Sequence, residues 1–349
     1  MSSYGGKPLP EQHEMSRTFL IAEVGCIHDG SLGIAHSYID ALARTGVDAV
    51  KFQTHIAEAE SSIHEQFRVK FSYEDATRFD YWKRLSFTDK QWRELKLHCE
   101  EAAVEFISSP FSQAAVDLLE GLSVKRYKIG SGEINNFLLL EKIAKTGKPI
   151  ILSSGLSSYS ELDATVQLVQ SFGNDLSVLQ CTTAYPTPPE KAGLNVVTEL
   201  KKRYPGVKAG LSDHSGTVFP SLAAAALGAD LLEFHVVFDR NMFGPDATSS
   251  LEIAEVKELV KGVRAIGTML TNPVNKEDES RFGDLKTIFG KSLAVSRDLP
   301  KDHVISFDDL ESKKPAGFGI PPSRFREIVG MKLIRPKHKY EFLTMEDIA

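Results

Sequence analysis

The sequence predicts a (β/α)8 barrel over residues 18–270, followed by a small, mostly β module over 288–349. Three observations carry this: eight short apolar runs, amphipathic stretches of helical period between them, and a break in the rhythm after residue 270. The runs are FLIAEVG (19–25), DAVKFQT (48–54), EFISSPF (105–111), RYKIGSG (126–132), PIILSSG (149–155), LSVLQCT (176–182), VKAGLSD (207–213) and LLEFHVV (231–237). Each is flanked by turn residues, as expected of strands buried on both faces of a parallel sheet. Segments such as IAHSYIDALARTG, SELDATVQLVQSFG and SLAAAALGA lie between them. Several end in glycine, which closes a helix by taking a left-handed conformation at low cost. Eight strand–helix alternations is the closing number for a barrel. A doubly wound open sheet competes, but no glycine-rich dinucleotide fingerprint follows the first run.

Two stretches interrupt the alternation. Residues 55–87 form a long insertion rich in charge and aromatics, QFRVKFSYEDATRFDYWKRLSF, which on the catalytic side of a barrel reads as a lid or substrate wall. Residues 271–287 are polar and read as a linker. Beyond them come strand candidates KSLAVS and VISF, the Pro/Gly-rich KKPAGFGIPP, a helix-like SRFREIVGM and a final strand–turn pair. The module is too small to be trusted to stand alone. Residues 1–17 are a polar tail without the apolar core of a signal peptide.

The bulk properties narrow the partners. A net charge of −6 argues against nucleic acid, so basic residues that bind anions must be placed one by one in a cleft. No apolar run approaches the ~20 residues of a membrane span. The three cysteines, Cys26, Cys99 and Cys181, have no paired spacing and read as reduced thiols of a cytoplasmic protein.

In a barrel, the active site lies at the C-terminal ends of the strands. Reading round that rim gives Glu23, Lys51 with Gln53, Ser109, Lys128 with Ser131 and Glu133, Ser153, Thr183 with Tyr185, Ser212 with His214, and His235. Lys51 and Lys128 interrupt apolar strands, and buried lysines are rare unless paired or functional. With the surrounding serines they suit a phosphate and a carboxylate; a Schiff-base lysine is the other chemistry open to them. His214 and His235 end neighbouring strands ~4.8 Å apart, where two imidazoles can share one metal ion or serve as bonded structural residues. Glu23, Glu133, Asp213 and Asp246 are the candidate carboxylates, with Glu23 placed for acid–base work or sugar hydroxyls. Cys26 and Cys181, near the rim, read as small packed residues.

The blocks IAEVGCIHDG, VKFQTH, FISSPFS, YKIGSGEINN, GKPIILSSGL, CTTAYPTP, GLSDHSG and GPD, in this order, resemble the sialic acid synthase family. These enzymes condense phosphoenolpyruvate with an N-acylated aldose to give a nonulosonic acid. The terminal module, with KKPAGFGIPP and TMEDI, resembles the family's antifreeze-like (SAF) domain. The resemblance implies a transferase of carbohydrate biosynthesis that releases phosphate by C–O cleavage. It implies that His214 and His235 ligate a divalent metal, Mn2+ or Mg2+. It assigns Lys51, Ser109, Lys128, Ser131, Ser153, Thr183 and Ser212 to phosphoenolpyruvate. Glu23, Gln53, Glu133, Tyr185 and Asp246 fall to the open-chain sugar, and Lys314 stands where the SAF arginine reaches the acylamino group. Glu23, Lys51, Glu133, His214 and His235 are the implied catalytic set. It further implies a domain-swapped homodimer in which each SAF module caps the partner's barrel.

The chain departs from the family pattern at several points. Phe234 replaces a basic residue before the second metal histidine, VVFD replaces a threonine-bearing continuation, and Thr183 replaces an asparagine. Lysine at 314 cannot reproduce a bidentate guanidinium contact, and the YWKRLSF insertion also differs. These changes fall mainly on the sugar side and point to a legionaminic-, pseudaminic- or related precursor in place of N-acetylmannosamine. Three rivals remain at this stage. One is a 3-deoxy sugar-acid synthase acting on a phosphorylated aldose, with Arg78, Lys83 and Arg84 meeting the second phosphate. The others are a non-catalytic sugar-binding homologue and a metal-dependent barrel hydrolase.

Overall fold

A computed structural model describes residues 17–69 and 71–349, so most of the N-terminal tail lies outside the described residues. The chain divides into two compact units, one ending at Asn272 and the other spanning Pro273–Ala349.

The first unit alternates as the sequence predicts. In chain order it contains β1 (Phe19–Gly25), α1 (Leu32–Ala43), β2 (Ala49–Thr54), α2 (Ala57–Glu60), α3 (Arg78–Leu85) and α4 (Asp89–Glu101). There follow β3 (Glu105–Pro110), α5 (Gln113–Gly121), β4 (Tyr127–Ile129), α6 (Phe137–Ala144), β5 (Ile150–Ser153), α7 (Tyr159–Ser171) and β6 (Leu176–Cys181). The unit ends with α8 (Leu194–Arg203), β7 (Lys208–Asp213), α9 (Phe219–Ala226), β8 (Leu231–Val237), the two-residue β9 (Leu251–Glu252) and α10 (Ile253–Thr271). Ser31, Thr77, Thr88, Ser112, Asn136 and Ser158 cap helix starts with their side chains. Gly46 and Gly173, just past two helices, have φ of 88° and 81°.

The strands pair in the order β3-β2-β1-β8-β7-β6-β5-β4, all parallel, and β3 comes alongside β4 to bring the barrel near closure. Alternation along each strand builds two cores. One set of side chains packs outward against the helices; the other, Ile21, Ala49, Ile107, Ile151, Leu179 and Leu231, fills the barrel interior as an apolar layer. Two residues further along those strands stand Glu23, Lys51, Ser109, Ser153, Cys181 and Glu233, on the same inward face. The polar site therefore rests directly on a dry floor. Gly210 of β7 faces Leu231 of β8 in register. A Cβ there would sit 2.0 Å from the Leu231 carbonyl oxygen, so only glycine lets the two strands approach this closely.

The insertion after β2 folds into a wall. Tyr81, Trp82, Leu85 and Ala57 form their own buried cluster, with Cys26, Phe67, Phe71 and Phe79 packed against it.

The second unit corrects parts of the sequence reading. The stretch read as a linker carries a 3-10 turn at Glu279–Phe282 and the start of α11 (Gly283–Phe289). The KSLAVS segment gives β10 (Ser292–Val295), paired with β11 (Leu310–Lys313), whereas VISF forms no strand. Val304 makes only a single bridge, to Lys332, because Ser306 and Asp309 form a capping box that turns the chain into a 3-10 helix at Phe307–Asp309. The SRFREIVGM segment holds only one α-turn, α12 (Phe325–Ile328). Leu293, Val295, Ile305, Ile320, Ile328, Leu333 and Leu343 make this unit's core.

Candidate active site

A cavity of about 310 Å3 lies over the C-terminal strand ends and is lined by Glu23, Lys51, Gln53, Ser109, Lys128, Ser131, Ser153, Thr183, Tyr185, Ser212, His214, His235 and Asp246. Among the candidate carboxylates of the barrel, Glu133 and Asp213 are not in that lining. Glu133 is half-buried on the 3-10 turn after β4, where its Oε2 accepts from Asn136 at 2.7 Å. Burial raises its pKa, and the Asn136 bond works against that shift. Lys314 is exposed in the second unit, with Nζ 4.9 Å from the centre of the Phe289 ring. Asp213 accepts from the Ser215 backbone and from the Ser215 and Ser221 hydroxyls, a local positioning role.

The deep end of the cavity is a charge cluster. Lys51 Nζ lies 2.6 Å from Glu23 Oε2, and Ser109 accepts from it at 3.3 Å. Between Lys51 and Lys128 stands Glu233, 3.9 Å from the first and 3.2 Å from the second, and Ser212 donates to it at 3.0 Å. Burial works against the Glu233 charge, yet Lys128 and Lys51 hold its pKa down to about 2. Sequence reading passed over Glu233 as part of an apolar strand. The available signal was its spacing: it precedes His235 by two positions on one strand and so shares its inward face.

The cluster is not saturated. Ser153 Oγ and Glu233 Oε2 are buried without a hydrogen-bond partner among the described residues. Buried polar groups normally find partners, so two orphans beside two lysines mark a place built for a polar ligand.

Next to this cluster, the His214 and His235 rings stand 5.2 Å apart, with Tyr185 4.3 Å from His214. His214 Nδ1 donates to the Thr182 carbonyl at 3.0 Å, which leaves Nε2 as the lone-pair nitrogen. Burial first, and His235 second, lower the His214 pKa to about 3, so this imidazole is neutral at physiological pH. No group of three or more His, Cys, Asp or Glu among the described residues is arranged to hold a metal.

The mouth is made by the insertion. Phe67, Arg68, Phe71, Arg78, Tyr81 and Trp82 line it. The Arg68 guanidinium lies 4.0 Å over the Tyr185 ring, and its Nη2 donates to Asp246 at 2.7 Å. Sequence reading missed Arg68, because periodicity does not say where a loop side chain lands. Of the three basic residues considered for a second phosphate, only Arg78 reaches the cavity, and it is paired with Glu65 at 3.0 Å. Arg84 is bound by Asp29 and Asp75, and Lys83 is exposed beside Glu58.

Fold and site together give a (β/α)8 barrel with a charged cavity at its C-terminal strand ends and an aromatic mouth. The family comparisons give that class a name. The chain belongs to the NeuB family, whose model matches residues 38–275, and a SAF domain matches 290–349. It is 35% identical to N,N'-diacetyllegionaminic acid synthase of Campylobacter jejuni, over 95% of this chain and 100% of that one. It is 34% identical to human N-acetylneuraminate-9-phosphate synthase, over 90% of this chain and 88% of that one. The crystal structure of N-acetylneuraminic acid synthetase from Leptospira borgpetersenii superposes with a TM-score of 0.69 at 30% identity, covering 78% of this chain and 90% of that one. The relatives named are synthases, and this chain is an enzyme of that kind.

Proposed function

We propose that this enzyme condenses phosphoenolpyruvate with the open-chain form of a neutral N-acylated aldose, giving a nonulosonic acid and phosphate. The observation that carries the reading is the deep cluster: two buried lysines, one shared carboxylate and unsatisfied hydroxyl and carboxylate oxygens. Lys51 and Lys128 hold the phosphate and carboxylate, with Ser109, Ser131, Ser153, Thr183 and Ser212 supplying hydroxyls. Glu23, Gln53, Tyr185 and Asp246 face the sugar.

The vinyl carbon of phosphoenolpyruvate bonds to the aldehyde carbon, and positive charge develops at the carbon bearing phosphate. Water adds there, and the C–O bond to phosphate breaks as phosphate leaves. The chain contributes positioning and a fixed field: the lysines bind the phosphate and carboxylate, and the carboxylates of Glu233 and Glu23 beside those lysines favour a developing positive charge. Neither lysine needs to form a Schiff base. His214 and His235 would hold a divalent ion through their imidazole nitrogens. Such an ion, Mn2+ or Mg2+, acts when bound as a Lewis acid toward the aldehyde oxygen.

A phosphorylated acceptor is disfavoured. Arg68 and Arg78 are each neutralised by a carboxylate, and Lys83 and Arg84 do not line the cavity. A legionaminic- or pseudaminic-type precursor fits the aromatic mouth. We further propose a cytoplasmic homodimer, supported by Phe307 and Phe318, which the second unit leaves exposed.

The test is phosphate release from phosphoenolpyruvate with a panel of neutral and 6-phosphorylated acylamino hexoses, with and without Mn2+. Turnover with a neutral sugar is expected; none with any sugar sinks the reading. His214→Ala should lose at least ~1,000-fold in kcat with its melting temperature kept, and an unfolded variant would make His214 structural.

A further inference from the structure

Behind the cavity wall, outside its lining, the His55 imidazole is held more tightly than packing alone requires. It lies between Trp82 and Phe111, with ring centres 3.7 and 4.3 Å away and planes tilted by only 13° and 9°. Both of its edges are used. Nδ1 is 2.6 Å from Glu60 Oε1, and Nε2 is 3.1 Å from Gln53 Oε1. Glu60 is itself tied to the Ile56 amide, which donates to its other oxygen at 3.3 Å.

Donor and acceptor logic fixes the sense of this chain. Gln53 Nε2 donates to Glu23 Oε1 at 2.7 Å, and a carboxylate paired with Lys51 only accepts. The Gln53 oxygen therefore points to His55, whose Nε2 must carry the proton. From Lys51 through Glu23 and Gln53 to His55, every orientation is determined by the one before it.

We propose that His55 is a positioning residue: it sets the amide of Gln53, and through it the Glu23 carboxylate, without touching substrate. The inference rests on the reading that Gln53 and Glu23 face the acceptor sugar. A free Gln53 amide can turn over and present its oxygen to Glu23, acceptor against acceptor, so the carboxylate would lose its bond and its aim. The stack on Trp82 and Phe111 keeps the imidazole edge-on to both partners, and Trp82 and Phe111 themselves line the cavity.

The discriminating variant is His55→Phe combined with Glu60→Gln. Phenylalanine keeps the aromatic stack while deleting both edge bonds, and glutamine avoids a lone buried carboxylate. Glu60→Gln alone is the conservative control, since its amide can donate to Nδ1 and leave the Nε2 proton facing Gln53. For the double variant, kcat/KM for the sugar should fall about 10- to 100-fold, with KM for phosphoenolpyruvate within about twofold and the melting temperature kept. Glu60→Gln alone should stay within about threefold of the parent. A crystal structure of the double variant should show Gln53 turned or detached from Glu23. Unchanged kinetics, or Gln53 still bonded to Glu23, overturns the proposal. Equal losses for both substrates with a lowered melting temperature overturn it in favour of a structural role. If the parent protein turns over no sugar, the condensation reading fails, while the crystal structure still decides what holds Gln53.

Discussion

Buried carboxylates occur in both units of this chain, and the two units treat them in opposite ways. In the second unit, Asp309 accepts from Ser306, Arg297 and His303, and Asp347 from Thr344, Arg335 and, as an ion pair, Lys337. Both close a capping box on a 3-10 turn, and neither has an orphaned oxygen. In the barrel, Glu233 has a lysine on either side and still keeps an oxygen without a hydrogen bond, beside the orphan hydroxyl of Ser153. The saturated carboxylates stitch a small core together; the unsaturated one faces the cavity with bonding capacity to spare. Among these carboxylates, completeness of bonding, more than burial, is what differs.

Glu233→Gln tests that contrast most severely. It leaves the buried Lys128 without its ion-pair partner, while Lys51 keeps Glu23, a change worth about 3–5 kcal/mol of stability. Urea unfolding should show the loss, and phosphoenolpyruvate should restore more stability to the variant than to the parent. Equal response in both would break the comparison.

Lowering the pH should separate the units next. Burial, then His55, lower the His28 pKa to about 3, well below its unfolded value near 6.5. A base with a depressed pKa stabilises above its unfolded value and loses that stability as pH falls toward the folded one. The barrel should thus lose about 1.4 kcal/mol per pH unit below 6.5 from this group alone. Burial opposes the Asp347 charge, but Lys337 and Thr344 hold its pKa down to about 2, so its contribution persists until pH falls below the ordinary aspartate value near 3.9. Hydrogen exchange at pH 7, 5 and 4 should show barrel amides weakening first; the reverse order would contradict the assignment.

Asp347→Asn should cost about 2 kcal/mol, confined to second-unit amides in exchange measurements, with no rescue by phosphoenolpyruvate. The smallest effect is expected at the mouth. Arg68→Lys keeps the charge but not the planar stack on Tyr185, and should raise the sugar KM about tenfold while leaving the phosphoenolpyruvate KM unchanged. A change in the latter would mean that deep and shallow sites are not separate.

The barrel was largely legible because strand alternation is a strict rule: once the apolar runs are placed, the residues two positions past each inner layer must face the cavity. That rule gives Lys51, Ser109 and Ser153, and on β8 it gives Glu233, two past Leu231, with His235 one step further. Glu133 was read at the rim because it follows β4, but a 3-10 turn carries it off the lining. Arg68 sits on an irregular loop, where no period applies. In the second unit, β11 is a polar edge, LESK, with no buried residue to announce it, whereas VISF looked like a strand because Ile305 is buried.

The missing side chain at Gly210 reaches further than its place in the sheet suggests. His214 and His235 each lie four residues along their strands from the Gly210–Leu231 contact, roughly 13 Å away. The approach of the two strands that carry these imidazoles is thus set in part well below them, by a hydrogen atom where every other residue has carbon. A single added methyl at that hidden point would spread the pair like the handles of pliers, disabling the site without altering any residue that lines it.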